Sequence, residues 1–321
     1  MLTKLVCMAI TALIASGTAA GILGTEDAAK TVKSRGIIYG HTADGEDTAQ
    51  KERSGSTETE VHYIDVGQGD ATLILSGGHA MLIDCGQNDK GTAIQLYLKK
   101  QGVTRLDYLV LTHPDADHIG GADVIITKFE IDKVFMSDYE KDNKTYREVI
   151  EALDAKKMSW SVPQPGEVYT LGGAQFTILA PNKSYDDPNN ASIALLLQNG
   201  DDRFLFTGDA EEEAESDMLA NGISVRAEVY KAGHHGSDTA SSGHFMQAVR
   251  PEYAVISCGE ENSYGHPHAE VLNRLRTMGV KVFRTDEQGS IVALSNGREI
   301  TWNCAPSETW KSRERTGSEA K

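Results

Sequence analysis

Apolar residues along this chain fall in short runs separated by glycine-rich polar turns. Val61 to Val66, Thr72 to Leu75 and Ala80 to Ile83 read as three strands, joined through Gly67-Gln68-Gly69-Asp70 and Gly77-Gly78. Gly91 to Lys100 reads as a helix, and Leu106 to Leu111 as the next strand. Further strand-like runs lie at Lys133 to Met136, Gln175 to Leu179, Ser192 to Leu197, Arg203 to Phe206 and Glu228 to Lys231, then at Tyr253 to Ser257, Val280 to Phe283 and Ser290 to Leu294. Helical patterns lie at Tyr146 to Lys156, Ala210 to Ala220 and Ala269 to Met278. Strands interspersed with helices, and no internal repeat, predict an α/β sandwich in which helices cover stacked sheets.

The flanks follow other patterns. Lys4 precedes an apolar run from Leu5 to Ala15, and small residues from Ala15 to Ala20 follow it, as in an export signal over residues 1–23. The run falls short of the roughly 20 residues of a membrane span, so no stable span is expected once the signal is removed. An uncleaved anchor is the competing reading. Residues 24–60 are polar and read as a flexible linker, 61–303 as the folded domain and 304–321 as a polar tail expected to fray. The expected location is secreted, or on the extracellular face of the cell envelope.

Composition narrows the partners. Across 321 residues, 40% hydrophobic and 24% charged content is ordinary for a globular enzyme, whereas a net charge of −16 disfavours a basic nucleic-acid-gripping face. A nucleic-acid substrate would need bound metal to supply the local positive charge. Cys85, Cys258 and Cys304 follow the apolar run without any CxxC spacing. Two of them end apolar stretches before a glycine, which suits buried thiols better than a disulfide framework or a thiolate metal site.

The chemistry concentrates in His113-Pro114-Asp115-Ala116-Asp117-His118, directly after a strand. Two imidazoles and two carboxylates at a strand end can aim at one point, as a divalent metal requires. An acidic loop with two stray histidines is the bland alternative. Four other segments weigh against it: Asp65-Val66-Gly67-Gln68-Gly69-Asp70-Ala71, Gly208-Asp209-Ala210, Lys231-Ala232-Gly233-His234-His235-Gly236-Ser237 and Tyr264-Gly265-His266-Pro267-His268.

Together these resemble the metallo-β-lactamase superfamily, with aspartate at the second histidine of its HxHxDH signature, and within it the hydrolase domain of ComEC-like competence proteins in stand-alone form. The resemblance spans roughly Val61 to Trp302. It implies an αβ/βα sandwich of two mixed sheets with helices outside, and a dinuclear centre. His113 and Asp115 would hold a first metal, Asp117, His118 and His235 a second, and Asp209 would bridge them. His234 would face the substrate, although the roles of the two adjacent histidines could exchange, since neighbouring side chains diverge on a strand. The family's further histidine at the first metal is absent, and Asn190 in the matching segment offers an amide oxygen or nothing. Such an oxygen-rich site shifts preference from Zn²⁺ toward Mn²⁺ or Mg²⁺ and weakens the case for β-lactam hydrolysis.

Paired cations suit hydrolysis of a phosphodiester. His234, His266 and Asp117 are the candidate catalytic residues, with Ser237 a further candidate for gripping a phosphoryl oxygen. The expected substrate is a phosphoester, in DNA or in a cell-envelope polymer. The competing functions are a cell-envelope phosphoesterase of the phosphorylcholine or teichoic-acid type and a non-catalytic envelope-binding module. Plain readings cover the rest. Gly67 to Asp70 is a hairpin turn, Asp65 and Asp70 either cap turns or support the site, and His41, His62, His79 and His244 are surface or strand residues. Glu211-Glu212-Glu213 caps a helix whose dipole favours negative charge.

Overall fold

The computed structural model describes residues 58–313. The expected export signal, nearly all of the linker and His41 lie outside the described residues.

Two sheets carry the fold. The first contains β1 (Thr59–Tyr63), β2 (Thr72–Ser76), β3 (His79–Ile83), β4 (Arg105–Leu111), β5 (Glu130–Met136) and β6 (Trp160–Ser161). The second contains β7 (Val168–Leu171), β8 (Ala174–Ala180), β9 (Ala194–Asn199), β10 (Asp202–Phe206), β11 (Val229–Lys231), β12 (Tyr253–Ile256) and β13 (Lys281–Arg284). The chain then returns to the first sheet as β14 (Ile291–Ser295) and β15 (Ile300–Trp302), giving the order β15-β14-β1-β2-β3-β4-β5-β6 beside β13-β12-β11-β10-β9-β8-β7. Each sheet begins as an antiparallel meander and turns parallel, at β3–β4 in one and at β10–β11 in the other. This is the αβ/βα sandwich that the sequence predicts.

Burial explains why the strands read as nearly continuous apolar runs. Along β2, Leu73 and Leu75 pack toward helices, among them α1 (Gly91–Lys100), while Ile74 enters the layer between the sheets. Along β4, Leu109 and Leu111 face the helices and Val110 faces the second sheet. Phe176, Leu195, Phe204, Phe206 and Phe283 answer from that sheet, so both faces of the strands are covered and period-two alternation is lost.

Several boundaries move for local reasons. The first strand stops at Tyr63 rather than Val66, because the Asp65 carboxylate accepts the Gly67 N–H at 3.0 Å and turns the chain. The helix expected from Tyr146 begins at Lys144, where the Asn143 side chain accepts the Tyr146 N–H at 2.8 Å. The tail expected to fray is docked as far as Arg313. The Ser307 N–H donates to the Val282 carbonyl at 2.7 Å, Arg284 donates to the Lys311 carbonyl at 2.9 Å, and Arg313 pairs with buried Asp286 at 2.7 Å.

Candidate metal centre

The strand-to-helix turn after β4 presents the first group of site residues. The Thr112 N–H and hydroxyl both donate to Asp84, at 2.9 and 2.8 Å, and His118 Nδ1 meets the same carboxylate at 2.8 Å. With three donors on it, Asp84 fixes the tautomer of His118, so that Nε2 keeps its lone pair for a ligand. A short helix, Ala116–Ile119, carries Asp117 and His118. It is pressed against the loop after β3, where the Cys85 N–H donates to the His118 carbonyl at 2.6 Å. A Cβ on Gly120 would fall 2.3 Å from the Asn88 nitrogen, so only glycine allows this approach.

The second group arrives on a turn after β11, Gly233–Gly236, in which His234 (φ 48°) and His235 (φ 55°) both adopt left-handed backbone. The side chains therefore diverge through a turn and not along a strand, as the sequence reading assumed. His235 is buried, and its Nδ1 donates to the Ser257 carbonyl at 3.0 Å, leaving Nε2 free to face inward. His234 remains 23% exposed, with Nδ1 held by Glu211 at 3.2 Å and Thr239 at 3.1 Å.

Asp209, just beyond β10, lies where these groups converge. Its Oδ2 is 3.3 Å from His118 Nε2, 3.4 Å from His235 Nε2, 3.8 Å from His234 Nε2 and 4.0 Å from His113 Nε2. Asp117 Oδ2 is 3.3 Å from His235 Nε2, which itself lies 3.3 Å from His118 Nε2. Asp70, His118, Asp209 and His235 each offer a ligand atom within 4.8 Å of the others. His113 Nε2 and Asp209 Oδ1 are buried without a hydrogen-bond partner. A buried nitrogen and a buried oxygen without partners are costly unless an electrophile satisfies them, and a divalent cation fits this donor set.

The electrostatics agree. Against the cost of burial, Asp209 and Asp84 hold His118 well above the usual imidazole range. Asp209, Asp70 and Asp117 do the same for His235, also against burial. Carboxylates that retain protons on these rings would equally favour a cation between them. The same histidines, working against burial, hold Asp209 well below the carboxylate range. His113 is pushed down to about 4 by burial and His118, and His266 to about 3 by burial and its histidine neighbours.

The remaining expected residues divide. Asp115 is turned to Lys141, whose Nζ is 2.6 Å away. Asn190 is no ligand here, because its Oδ1 accepts the Glu211 and Ala214 N–H groups at 3.0 and 3.3 Å and so anchors the start of the helix Glu212–Ala220. Ser192 takes the place beside His113, 3.3 Å from Nδ1, while its hydroxyl also accepts the Asp209 N–H at 3.1 Å. Ser237 is engaged by Thr239 at 3.0 Å. His62 sits buried between Tyr97 and Glu60, and His79 pairs with Asp107, as structural residues would.

Gly67-Gln68-Gly69-Asp70 is more than a turn. Gly69 (φ 132°) abuts the Asp117 carbonyl so closely that a Cβ would lie 2.3 Å from it. Gln68 accepts the Gly259 N–H at 3.2 Å and presents its amide nitrogen to His266 Nδ1 at 3.4 Å. Buried Asp70 binds buried Lys231 at 2.7 Å and faces His235 Nδ1 at 3.3 Å. Asp65 is the turn cap of the pair and Asp70 the site support. Glu211 stands at the N-cap position of the helix Glu212–Ala220, as the sequence suggested, but its side chain makes no cap hydrogen bond and its carboxylate serves His234, Thr239 and Asn189 instead. Sequence reasoning missed Asp84, Glu211, Lys231 and Gln68. Asp84 did carry a signal, as an acid closing the strand-like run before Cys85-Gly86.

Comparison with known proteins follows the same lines. Residues 64–260 match the model of the metallo-β-lactamase superfamily. The chain is 33% identical over 278 residues to ComE operon protein 3 of Bacillus subtilis (strain 168), covering 78% of this chain and 35% of that protein. It is 34% identical over 238 residues to competence protein ComA of Neisseria gonorrhoeae, covering 73% and 32% respectively. The chain thus spans about a third of the length of these relatives. Among solved structures, the metallo-β-lactamase fold protein YhfI from Bacillus subtilis superposes with a TM-score of 0.52 at 14% identity, over 74% of this chain and 100% of that one.

Proposed function

From its membership of the metallo-β-lactamase superfamily, among ComEC-like relatives, we propose that this chain is a metal-dependent phosphodiesterase or nuclease with a dinuclear centre. The observation that carries the reading is the convergence of four histidine Nε2 atoms, each within 4.0 Å, on the single oxygen Asp209 Oδ2. Asp117, His118 and His235 would hold one cation and His113 and Asp115 the other, with Asp209 common to both. Asp115 would exchange its Lys141 partner for the ion. Bound divalent ions would supply Lewis acidity and lower the pKa of water to about 7. The site of His113, with one imidazole among carboxylates, favours Mn²⁺ or Mg²⁺ over Zn²⁺ and a phosphoryl over a β-lactam substrate.

The chain's own residues complete the chemistry. Glu211 holds a proton on His234 Nδ1, so Nε2 takes or gives the proton that must move at the attacked or departing oxygen. His234 suits this because it is the more open of the adjacent pair. Gln68, with its oxygen committed to the Gly259 N–H, turns its amide N–H toward His266 Nδ1. That leaves the His266 proton on Nε2, to be donated to a phosphoryl oxygen.

A second reading, hydrolysis of phosphoesters in the cell envelope, is favoured by the net charge of −16, which gives long DNA little to grip. Purified protein loaded with Mn²⁺ or Zn²⁺ should hydrolyse bis(p-nitrophenyl) phosphate, and parallel assays on single-stranded DNA and choline phosphoesters separate the two readings. His234→Ala should cut turnover by about 10²–10⁴-fold with metal content retained, whereas His235→Ala should lose metal. Cleavage of β-lactams but of no phosphoester under any of these ions would overturn the proposal.

A further inference from the structure

An exposed aromatic ring stands beside this centre, and the chemistry above makes no use of it. Tyr264 is 58% exposed, one of few large apolar side chains on the described surface. Its ring stacks on His266 with centroids 5.5 Å apart and planes 16° apart, which covers one face and leaves the other to solvent. His266 in turn lies 5.5 Å from the His234 ring and 5.9 Å from that of His235. Two ring-to-ring steps therefore separate Tyr264 from the candidate metal ligands.

The loop that carries Tyr264 is built to hold it. Buried Asn262 donates to the Gly259 carbonyl at 2.8 Å and the His266 carbonyl at 2.7 Å, and its Oδ1 accepts the His266 N–H at 2.9 Å. The Tyr264 carbonyl meets His268 Nε2 at 3.2 Å. An aromatic ring in water on a clamped loop adds nothing to the core, and its rigidity lowers the ordering cost of a partner. Exposed Glu260 and Glu261 on the same loop rule out a phosphate-gripping role for this edge. What remains is a flat, uncharged face able to stack on another planar ring.

We propose that Tyr264 is a stacking platform for a nucleobase, placing the adjoining phosphodiester of a single-stranded nucleic acid at the Asp209 centre. This rests on the phosphodiesterase reading and specifies its substrate class. Stacking does not depend on charge, so it supplies grip on a chain whose acidic surface offers little. It also tolerates any base, because every base has a π face.

The test measures binding of the metal-loaded protein to a short phosphorothioate oligothymidylate, which resists cleavage, and to an abasic strand of equal length and charge. The wild type should prefer the base-bearing strand by on the order of 5- to 150-fold. Tyr264→Ala should abolish that preference, and Tyr264→Phe, which keeps the ring and loses the hydroxyl, should retain it. Equal binding of the two strands by the wild type, or an undiminished preference in Tyr264→Ala, would overturn the platform. Hydrolysis of simple diesters without base-dependent binding would sink this inference alone. Base-dependent binding without hydrolysis would sink the reaction and leave the platform standing.

Discussion

The two histidine-bearing turns that face each other across Asp209 are built by opposite means. The turn after β4 has no residue with positive φ, running through extended Asp115 into a short helix, and a buried carboxylate, Asp84, holds both its first residue and its last histidine. The turn after β11 puts two adjacent histidines in left-handed backbone, a conformation that costs a non-glycine residue roughly 1–2 kcal/mol. Its support comes from elsewhere, through the Ser257 carbonyl on His235 and the Glu211 carboxylate on His234. One turn places His118 on relaxed backbone, the other places His235 on strained backbone that hydrogen bonds hold. Both bring an Nε2 to within 3.4 Å of the same Asp209 oxygen, which makes Asp209 the joint between them.

Breaking the joint should have the largest effect. Asp209→Ala should reduce bound Mn²⁺ from close to two per chain to near zero, because each turn loses the carboxylate it shares. Equilibrium dialysis with metal analysis reads this directly. Full occupancy of both ions in this variant would mean that Asp209 is not common to them.

These constructions also differ in how far they can be read from sequence. His113, Asp117 and His118 share one short segment, so local spacing alone announces a ligand cluster, and the fold's many short strands were legible in the same way. Asp84 lies 34 positions before His118 and meets it only because β3 and β4 pair in parallel, a long-range fact that no local window holds. Lys231 and Asp70 are 161 positions apart, so a glycine-rich turn and a strand end that look unrelated become one buried ion pair. The left-handed turn was hidden because His-His carries no backbone signal of its own, unlike the glycines around it. The helix Ala122–Lys128 was missed because its Val124-Ile125-Ile126 run has the β-branched character of a strand, and tertiary packing of Ile125 and Ile126 overrode it. Asn190 was weighed as a ligand because its segment matched, whereas its oxygen is committed to anchoring a helix.

The comparison sharpens if the support of one turn is removed alone. Asp84→Asn keeps the shape but weakens the hold on His118 Nδ1. Loss of such a support typically costs about 10–100-fold in metal affinity. The loss should appear as one weakened ion by isothermal titration, the one that His118 shares with Asp117 and His235, while the ion of His113 and Asp115 keeps its affinity. Equal weakening of both ions would show that Asp84 does not act through His118 alone.

The smallest effect expected is a pH dependence that belongs to the pair joining the two halves. Asp70, from the turn after β1, is held at about 2 against burial by Lys231 at the end of β11, with His235 contributing. An unfolded aspartate titrates near 3.9. Because the folded value is the lower one, the pair's stabilisation is fully present above about pH 4 and is lost as pH falls toward 2. The difference is on the order of 2 kcal/mol. Urea unfolding of protein kept in EDTA, so that metal binding adds no slope, should show this loss between pH 4 and 2. Asp70→Asn alone would strand a buried ammonium, so the informative variant is the double one, Asp70→Asn with Lys231→Met, which removes both charges. Its stability should lose this component of the acid slope. If the double variant keeps the full slope, the acid sensitivity lies in other carboxylates, and the Asp70–Lys231 pair is not what couples the turn after β11 to the first half of the fold.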